Sequence, residues 1–162
     1  VFYYGQNIYE ATKGYADSDK QTINSTKHVY RIGSLTKQFT ATAICMLCEK
    51  GQLNLNDALN EYFPKAGFGR KVRVKDLLNM SSGIPNYSGS TDVSLIIEKG
   101  TYTEKQLGFN VSENNTAEEN KESIEKWILS QSLKFKPQEK FDYSNSNYFL
   151  LARIIEKVSG MS

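Results

Sequence analysis

The residue pattern predicts an α+β chain in which strands come first and helices make up most of the remainder. Two observations carry this. Short aromatic and β-branched runs separated by turn residues are confined to the first 33 positions, whereas from Ser34 onward apolar residues recur at the helical spacing of three and four. The bulk composition agrees: 162 residues, 39% hydrophobic and 23% charged, suffice for a single soluble domain with a core. One domain over 1–162 is expected, with strands and a loop over 1–33 and a mainly helical region over 34–162. No internal repeat is visible.

In chain order, Val1-Phe-Tyr-Tyr and Asn7-Ile-Tyr-Glu-Ala read as two strands, with Gly5-Gln6 as the hairpin turn. Asp17 to Lys27 is polar and reads as a loop. Val29 to Ile32 is a short extended run ending at Gly33. A helix comes next, with Leu35, Phe39, Ala43, Met46 and Leu47 on its apolar face and Gly51 as its stop. Asn56 to Phe63 suggests a short helix closed by Pro64. Val74 to Met80 suggests another, broken by Ser82-Gly-Ile-Pro-Asn. Val93 to Lys99 is a weak helical segment. Asn110 to Glu122 is polar and reads as a mobile insertion or an approach to a helix over Ser123 to Gln131. Lys136-Pro-Gln-Glu is a loop. Asn147 to Val158 is a strongly periodic helix (Leu150, Leu151, Ile154, Ile155, Val158) stopped by Gly160.

Composition also excludes. Twenty basic and 18 acidic residues give a net charge of +2, and the signs are interspersed, so no electrostatic footprint for nucleic acid is present. No apolar run approaches the roughly 18 residues of a membrane span. No signal peptide is visible. Val1-Phe-Tyr-Tyr already reads as a strand, so a trimmed start is expected. Cys45 and Cys48 have C-x-x-C spacing but fall mid-helix beside Ile44, Met46 and Leu47. They read as buried, inert thiols. Zinc would need further ligands, and His28 is the one histidine. His28 reads as a strand residue.

The stretch Ile32-Gly-Ser-Leu-Thr-Lys37 places a serine and a lysine one helical turn apart. Gly33 allows a tight turn before Ser34. A serine at a helix start has its own N–H unpaired by the helix and the positive dipole end nearby, which suits an oxyanion at an attacked carbonyl. The same pair also fits an N-cap serine and a surface lysine. A second S-x-x-K, Ser123 to Lys126, comes after a polar stretch and reads as helix capping. Farther on, Tyr143-Ser-Asn145 is the chain's one Tyr-x-Asn, at a loop end before a helix. By itself it fits a packed tyrosine and a capping asparagine.

Taken together, Ser34-x-x-Lys37 and Tyr143-x-Asn145 resemble the serine β-lactamase and penicillin-binding protein superfamily. The similarity is to its class C-like branch: class C β-lactamases, D-alanyl-D-alanine carboxypeptidases and related esterases. It extends over nearly the whole chain. Tyr30-Arg-Ile-Gly-Ser-Leu-Thr-Lys-Gln-Phe-Thr-Ala41 is similar to the family's Phe-Arg-Ile-Gly-Ser-x-Thr-Lys-Gln-Phe-Thr-Ala. Glu49-Lys-Gly-Gln-Leu-Asn-Leu-Asn-Asp57 and Leu77-Leu-Asn-Met-Ser-Ser-Gly-Ile-Pro85 come next in order, then Phe135-Lys-Pro and Tyr143-Ser-Asn-Ser-Asn-Tyr-Phe-Leu-Leu151. Met80 stands where many relatives have histidine, and Gln138 replaces the glycine of the usual Pro-Gly. No Lys-Thr-Gly or His-x-Gly occurs after Tyr143.

The resemblance implies a β-lactamase/transpeptidase-like fold, here its helical region and N-terminal hairpin without the C-terminal strands of the sheet. It implies acyl transfer on a β-lactam, a D-alanyl peptide or a small ester. Ser34 would be the nucleophile, Lys37 and Tyr143 would take and relay its proton, and Asn145 would hydrogen-bond Lys37 and the substrate amide. It implies no metal or cofactor, and an extracellular or cell-envelope location. As a fragment the chain is expected to be weak or inactive, its first strands pairing with another copy or with the missing C-terminal part. The alternative is a catalytically silent penicillin-recognition or interaction module of the same fold.

Overall fold

The structure is a computed structural model and describes residues 1–88 and 108–161. The chain divides into two compact units, Val1–Leu35 and Thr36–Ser162. The helical segment expected over Val93 to Lys99 lies outside the described residues.

The first unit contains two small hairpins. Strands β1 (Phe2–Tyr3) and β2 (Gln6–Asn7) pair antiparallel, Phe2 opposite Asn7 and Tyr3 opposite Gln6. The turn is Tyr4-Gly5, both at positive φ (46° and 77°), one residue earlier than the expected Gly5-Gln6. Two left-handed residues give a turn whose twist matches that of the strands. Strands β3 (Tyr15–Asp17) and β4 (Thr22–Ile23) form a second hairpin, with β4 lying inside the segment Asp17 to Lys27 expected to be a loop. Its turn is set by Asp17 Oδ1, which accepts the N–H groups of Asp19 and Lys20, each at 3.1 Å. That side-chain-to-backbone turn is built from polar residues, so the apolar pattern did not reveal it.

Val29 to Ile32 forms no ladder, and Val29 is exposed. His28 is a turn residue rather than a strand residue, its Nδ1 accepting the Ser25 N–H at 2.9 Å. None of residues 1–35 is buried, and Phe2, Tyr3 and Tyr4 are 74%, 63% and 90% exposed. The hairpins therefore have the backbone pairing of a sheet without the apolar cover that stabilises one.

The second unit holds the core. Helices α1 (Thr36–Glu49), α2 (Val74–Leu78) and α3 (Ala117–Ser130) all pack against α4 (Asn145–Ser159). Leu150, Leu151 and Ile154 of α4 are fully buried among Ile44, Leu59, Leu77 and Ile128. Each such side chain contributes about 1.5–3 kcal/mol of hydrophobic stabilisation. Helix α1 ends as expected at Gly51, where the Gly51 and Gln52 N–H groups bond to Cys48 O (2.9 Å) and Leu47 O (3.0 Å). Of its expected apolar face only Leu47 is buried, beside Ile44, which was not assigned to that face, whereas Phe39 is 70% and Met46 50% exposed. Cys45 is also exposed and Cys48 half-buried, so the expectation of two buried thiols is corrected: Cys45 points away from the Ile44 and Leu47 side of the helix.

Helix boundaries also differ, and α2 stops at Leu78 rather than Met80. Asn56 to Phe63 yields only a 3-10 turn, Leu59–Glu61. The Leu59 and Asn60 N–H groups are committed to Val72 O (2.8 Å) and Gly69 O (3.2 Å) and cannot continue a helix. Helix α3 starts at Ala117, six residues before Ser123. Its cap is Thr116, whose Oγ1 accepts the Glu119 N–H (3.2 Å) while the Glu119 carboxylate accepts the Thr116 N–H (2.7 Å). Ser123 is therefore mid-helix and not a cap. Its Oγ accepts the Asn110 N–H at 2.9 Å. Helix α4 starts at Asn145 rather than Asn147 and ends at Gly160, φ 70°. Among the described residues no helix is long and apolar enough to cross a membrane.

Candidate active site

The sharp break after α2 builds a platform for the start of α4. Three backbone bonds fasten segment 134–142 to it: Lys134 N–H to Gly83 O (2.8 Å), Gln138 N–H to Ser81 O (2.8 Å) and Asp142 N–H to Met80 O (2.9 Å). Two departures from the family pattern fall here. Gln138 has φ 70°, the left-handed conformation that glycine adopts without strain. Met80 also has positive φ (56°), and its sulfur accepts a hydrogen bond from Asn147 Nδ2 at 3.3 Å.

From the platform, side chains and carbonyls reach the first turn of α4. Ser82 Oγ donates to Asn147 Oδ1 (2.6 Å) and accepts the Ile84 N–H (3.0 Å). Ser82 and Asn147 are both buried. Ser146 Oγ donates to Pro85 O (2.6 Å) and accepts the Tyr87 N–H (3.0 Å). The Asn145 N–H, which a helix cannot satisfy at its own start, goes to Asn86 Oδ1 at 3.1 Å. The residue before it, Ser144, caps nothing with its side chain; its Oγ is buried without a partner among the described residues.

This anchoring presents Tyr143 and Asn145 to α1. Lys37, in the first turn of α1, donates from Nζ to Asn145 Oδ1 at 2.8 Å, across 108 residues of sequence. The same Nζ lies over the ring of Tyr143, 5.0 Å from its centroid, and over that of Tyr148 at 5.7 Å. Burial pushes the Tyr148 phenol above its ordinary value, with smaller contributions from Tyr143 and Cys45. Its Oη donates to Leu78 O at 3.3 Å. Tyr148 is thus a protonated wall of the site, while Tyr143 is 45% exposed beside it.

Three of the four expected residues, Lys37, Tyr143 and Asn145, are brought together within the second unit. The fourth, Ser34, lies in the 3-10 turn Gly33–Leu35 that closes the first unit, immediately after Gly33 at φ 53°. The tight turn expected before the serine is present. Sequence reasoning did not single out Asn86, Ser88, Ser146, Asn147 or Tyr148. A signal existed: two of them flank Tyr87 just beyond Ser82-Gly-Ile-Pro, and the other three come directly after Asn145.

A family model described as "Beta-lactamase" matches residues 1–162. "Protein flp" of Staphylococcus aureus (strain COL) is 35% identical over 154 residues, covering 92% of this chain and 27% of the relative. "Penicillin-binding protein 4*" of Bacillus subtilis (strain 168) is 32% identical over 161 residues, covering 98% of this chain and 31% of the relative. Among solved structures, the D-amino acid amidase of Ochrobactrum anthropi SV3 complexed with D-phenylalanine superposes with a TM-score of 0.69 at 26% identity, over 92% of this chain and 36% of that one. The chain thus spans about a third or less of the relatives it matches.

Proposed function

Since this chain belongs to the beta-lactamase family, we propose that it carries the nucleophile and proton-transfer half of a serine acyl-transfer site. Ser34 Oγ attacks the carbonyl of a β-lactam, a D-alanyl peptide or a small ester. Its proton passes to the Lys37–Tyr143 pair, which accepts it in the form that holds one proton fewer than ammonium and phenol together, and from there to the leaving nitrogen or oxygen. The Ser34 N–H donates to the developing oxyanion. Asn145 Nδ2 carries a hydrogen for the substrate amide while its Oδ1 holds Lys37. Water then attacks the acyl-serine, returning the proton by the same route and freeing the enzyme. A cell-envelope or extracellular location goes with this reading, and the names of the penicillin-binding and D-amino-acid-amidase relatives favour a D-configured amide or its lactam mimic.

The observation that carries the proposal is the Lys37–Asn145 hydrogen bond with Tyr143 over the same ammonium. A lysine that was only surface charge would have no reason to meet both members of the Tyr-x-Asn triplet. The test is covalent trapping. Intact protein is incubated with a labelled penicillin and with a nitrophenyl ester, and the adduct is mapped by mass spectrometry. Label on Ser34, absent from Ser34→Ala, is expected. Label on Ser123 overturns the assignment, and tight penicillin binding without any adduct selects the silent recognition module instead.

A further inference from the structure

The carboxamide of Asn145 is held at both ends. Its oxygen accepts from Lys37 Nζ at 2.8 Å, and its nitrogen donates to Ser88 Oγ at 2.9 Å. The two ends of a carboxamide have nearly the same shape, so packing alone does not choose which one meets the lysine. Hydrogen-bond polarity does. An ammonium can only donate and therefore needs the oxygen. A hydroxyl can donate or accept, and Ser88 would tolerate either end of the amide if its own proton were uncommitted. That proton is directed to Asn86 Oδ1 at 3.1 Å, which leaves Ser88 Oγ as an acceptor for Asn145. Asn86 Oδ1 is itself fixed by the Asn145 and Ser88 N–H groups at 3.1 and 3.4 Å. Ser88 is only 7% exposed, so bulk water has little access to replace it.

We propose that Ser88, set by Asn86, is a positioning residue that fixes the carboxamide of Asn145 and through it the place of the Lys37 ammonium. This rests on the acyl-transfer reading above. Ser88 acts through Asn145, whose carboxamide nitrogen its Oγ meets. Asn145 Nδ2 has two hydrogens, and Ser88 takes one of them, which orients the other.

The test is a double-mutant cycle on acylation by a nitrophenyl ester in the intact protein. Ser88→Ala is expected to lower the acylation rate constant about 3- to 10-fold, the effect of one hydrogen bond, with little change in KM. Ser88→Thr, which keeps the hydroxyl, restores most of the rate. Ser88→Cys leaves no hole but accepts weakly, and slows acylation like Ser88→Ala even if the alanine variant folds poorly. On an Asn145→Ala background the Ser88→Ala change adds less than about 2-fold, since the residue it acts through is gone. An equal loss on both backgrounds marks a merely structural role and overturns the proposal, as does an unchanged rate in Ser88→Ala. A crystal structure of S88A in which Lys37 and Asn145 keep their bond overturns it whatever the kinetics. Wild-type rates in both Ser34→Ala and Asn145→Ala would instead overturn the acyl-transfer reading.

Discussion

Replacing Asn147 by alanine tests whether the buried polar cluster, rather than apolar packing alone, holds the start of α4. Asn147 is fully buried, accepts from Ser82 Oγ at 2.6 Å and donates to Met80 Sδ at 3.3 Å. Truncation leaves the Ser82 hydroxyl proton without an acceptor at a site 1% exposed, which costs about 1–3 kcal/mol. It also leaves a hole about the size of one water, about 30 Å³. At about 24 cal/mol per Å³ that adds about 0.7 kcal/mol. The thioether bond is weak and adds little. Asn147→Ala should therefore destabilise by about 2–4 kcal/mol. Ser82→Ala alone orphans Asn147 Oδ1 and the Ile84 N–H. In the double variant neither Ser82 nor Asn147 is left orphaned, so the two costs should fall short of adding by about 1–2 kcal/mol. Guanidinium unfolding, followed by the fluorescence of the chain's one tryptophan, Trp127, measures all three. Costs that add to within about 0.3 kcal/mol would refute the coupling. So would an Asn147→Ala cost under about 1 kcal/mol, since the hydroxyl would then have found another acceptor or water.

Other perturbations probe the same frame. At Gly83 a Cβ would lie 2.4 Å from Phe135 O on a backbone at φ +79°, so Gly83→Ala should cost at least about 2 kcal/mol; a melting temperature equal to wild type would show that the platform can yield. Gln138→Gly should leave stability unchanged or raise it by up to about 1 kcal/mol, because relief of the left-handed strain exceeds or matches the added chain entropy; a clear loss in chemical unfolding would contradict this. Glu118 is held below its ordinary value of 4.5, chiefly by its hydrogen bond from Arg153. A depressed carboxyl contributes stability above that ordinary value and loses it as pH falls through the folded one. Arg153→Met should therefore flatten the decline in melting temperature from about pH 5 to about pH 3, and an unchanged slope would count against the pairing. Burial, with smaller contributions from Cys45 and Asp57, pushes the Cys48 thiol up, and Cys45 is the exposed one. Iodoacetamide should modify Cys45 faster than Cys48, and mass spectrometry of a short time course would reveal the reverse order.

The sequence by itself determined most of the helical scaffold and singled out the residues proposed as the reacting groups. Helix α4 was legible because Leu150, Leu151, Ile154 and Ile155 repeat at the helical period, and the first three of them are fully buried with Ile155 partly so. Ser34, Lys37, Tyr143 and Asn145 stood out because their spacings match a family pattern. Local hydrogen bonding was less legible. The Asp17 turn, the Thr116 capping box and the 3-10 turn at Leu59 depend on where individual N–H groups find acceptors, and apolar periodicity does not encode that. Burial was misjudged for Cys45 and Phe39 because helical spacing identifies a stripe but not which part of it meets a neighbour. Only the tertiary structure decided that Lys37 meets Asn145, and which end of the carboxamide it meets. The ammonium takes the oxygen because it can only donate, and Ser88, 57 residues from Asn145 in sequence, accepts from the nitrogen end while its own proton is directed to Asn86. A hydrogen-bond direction set by the partner's partner exists only once the chain has closed those distances.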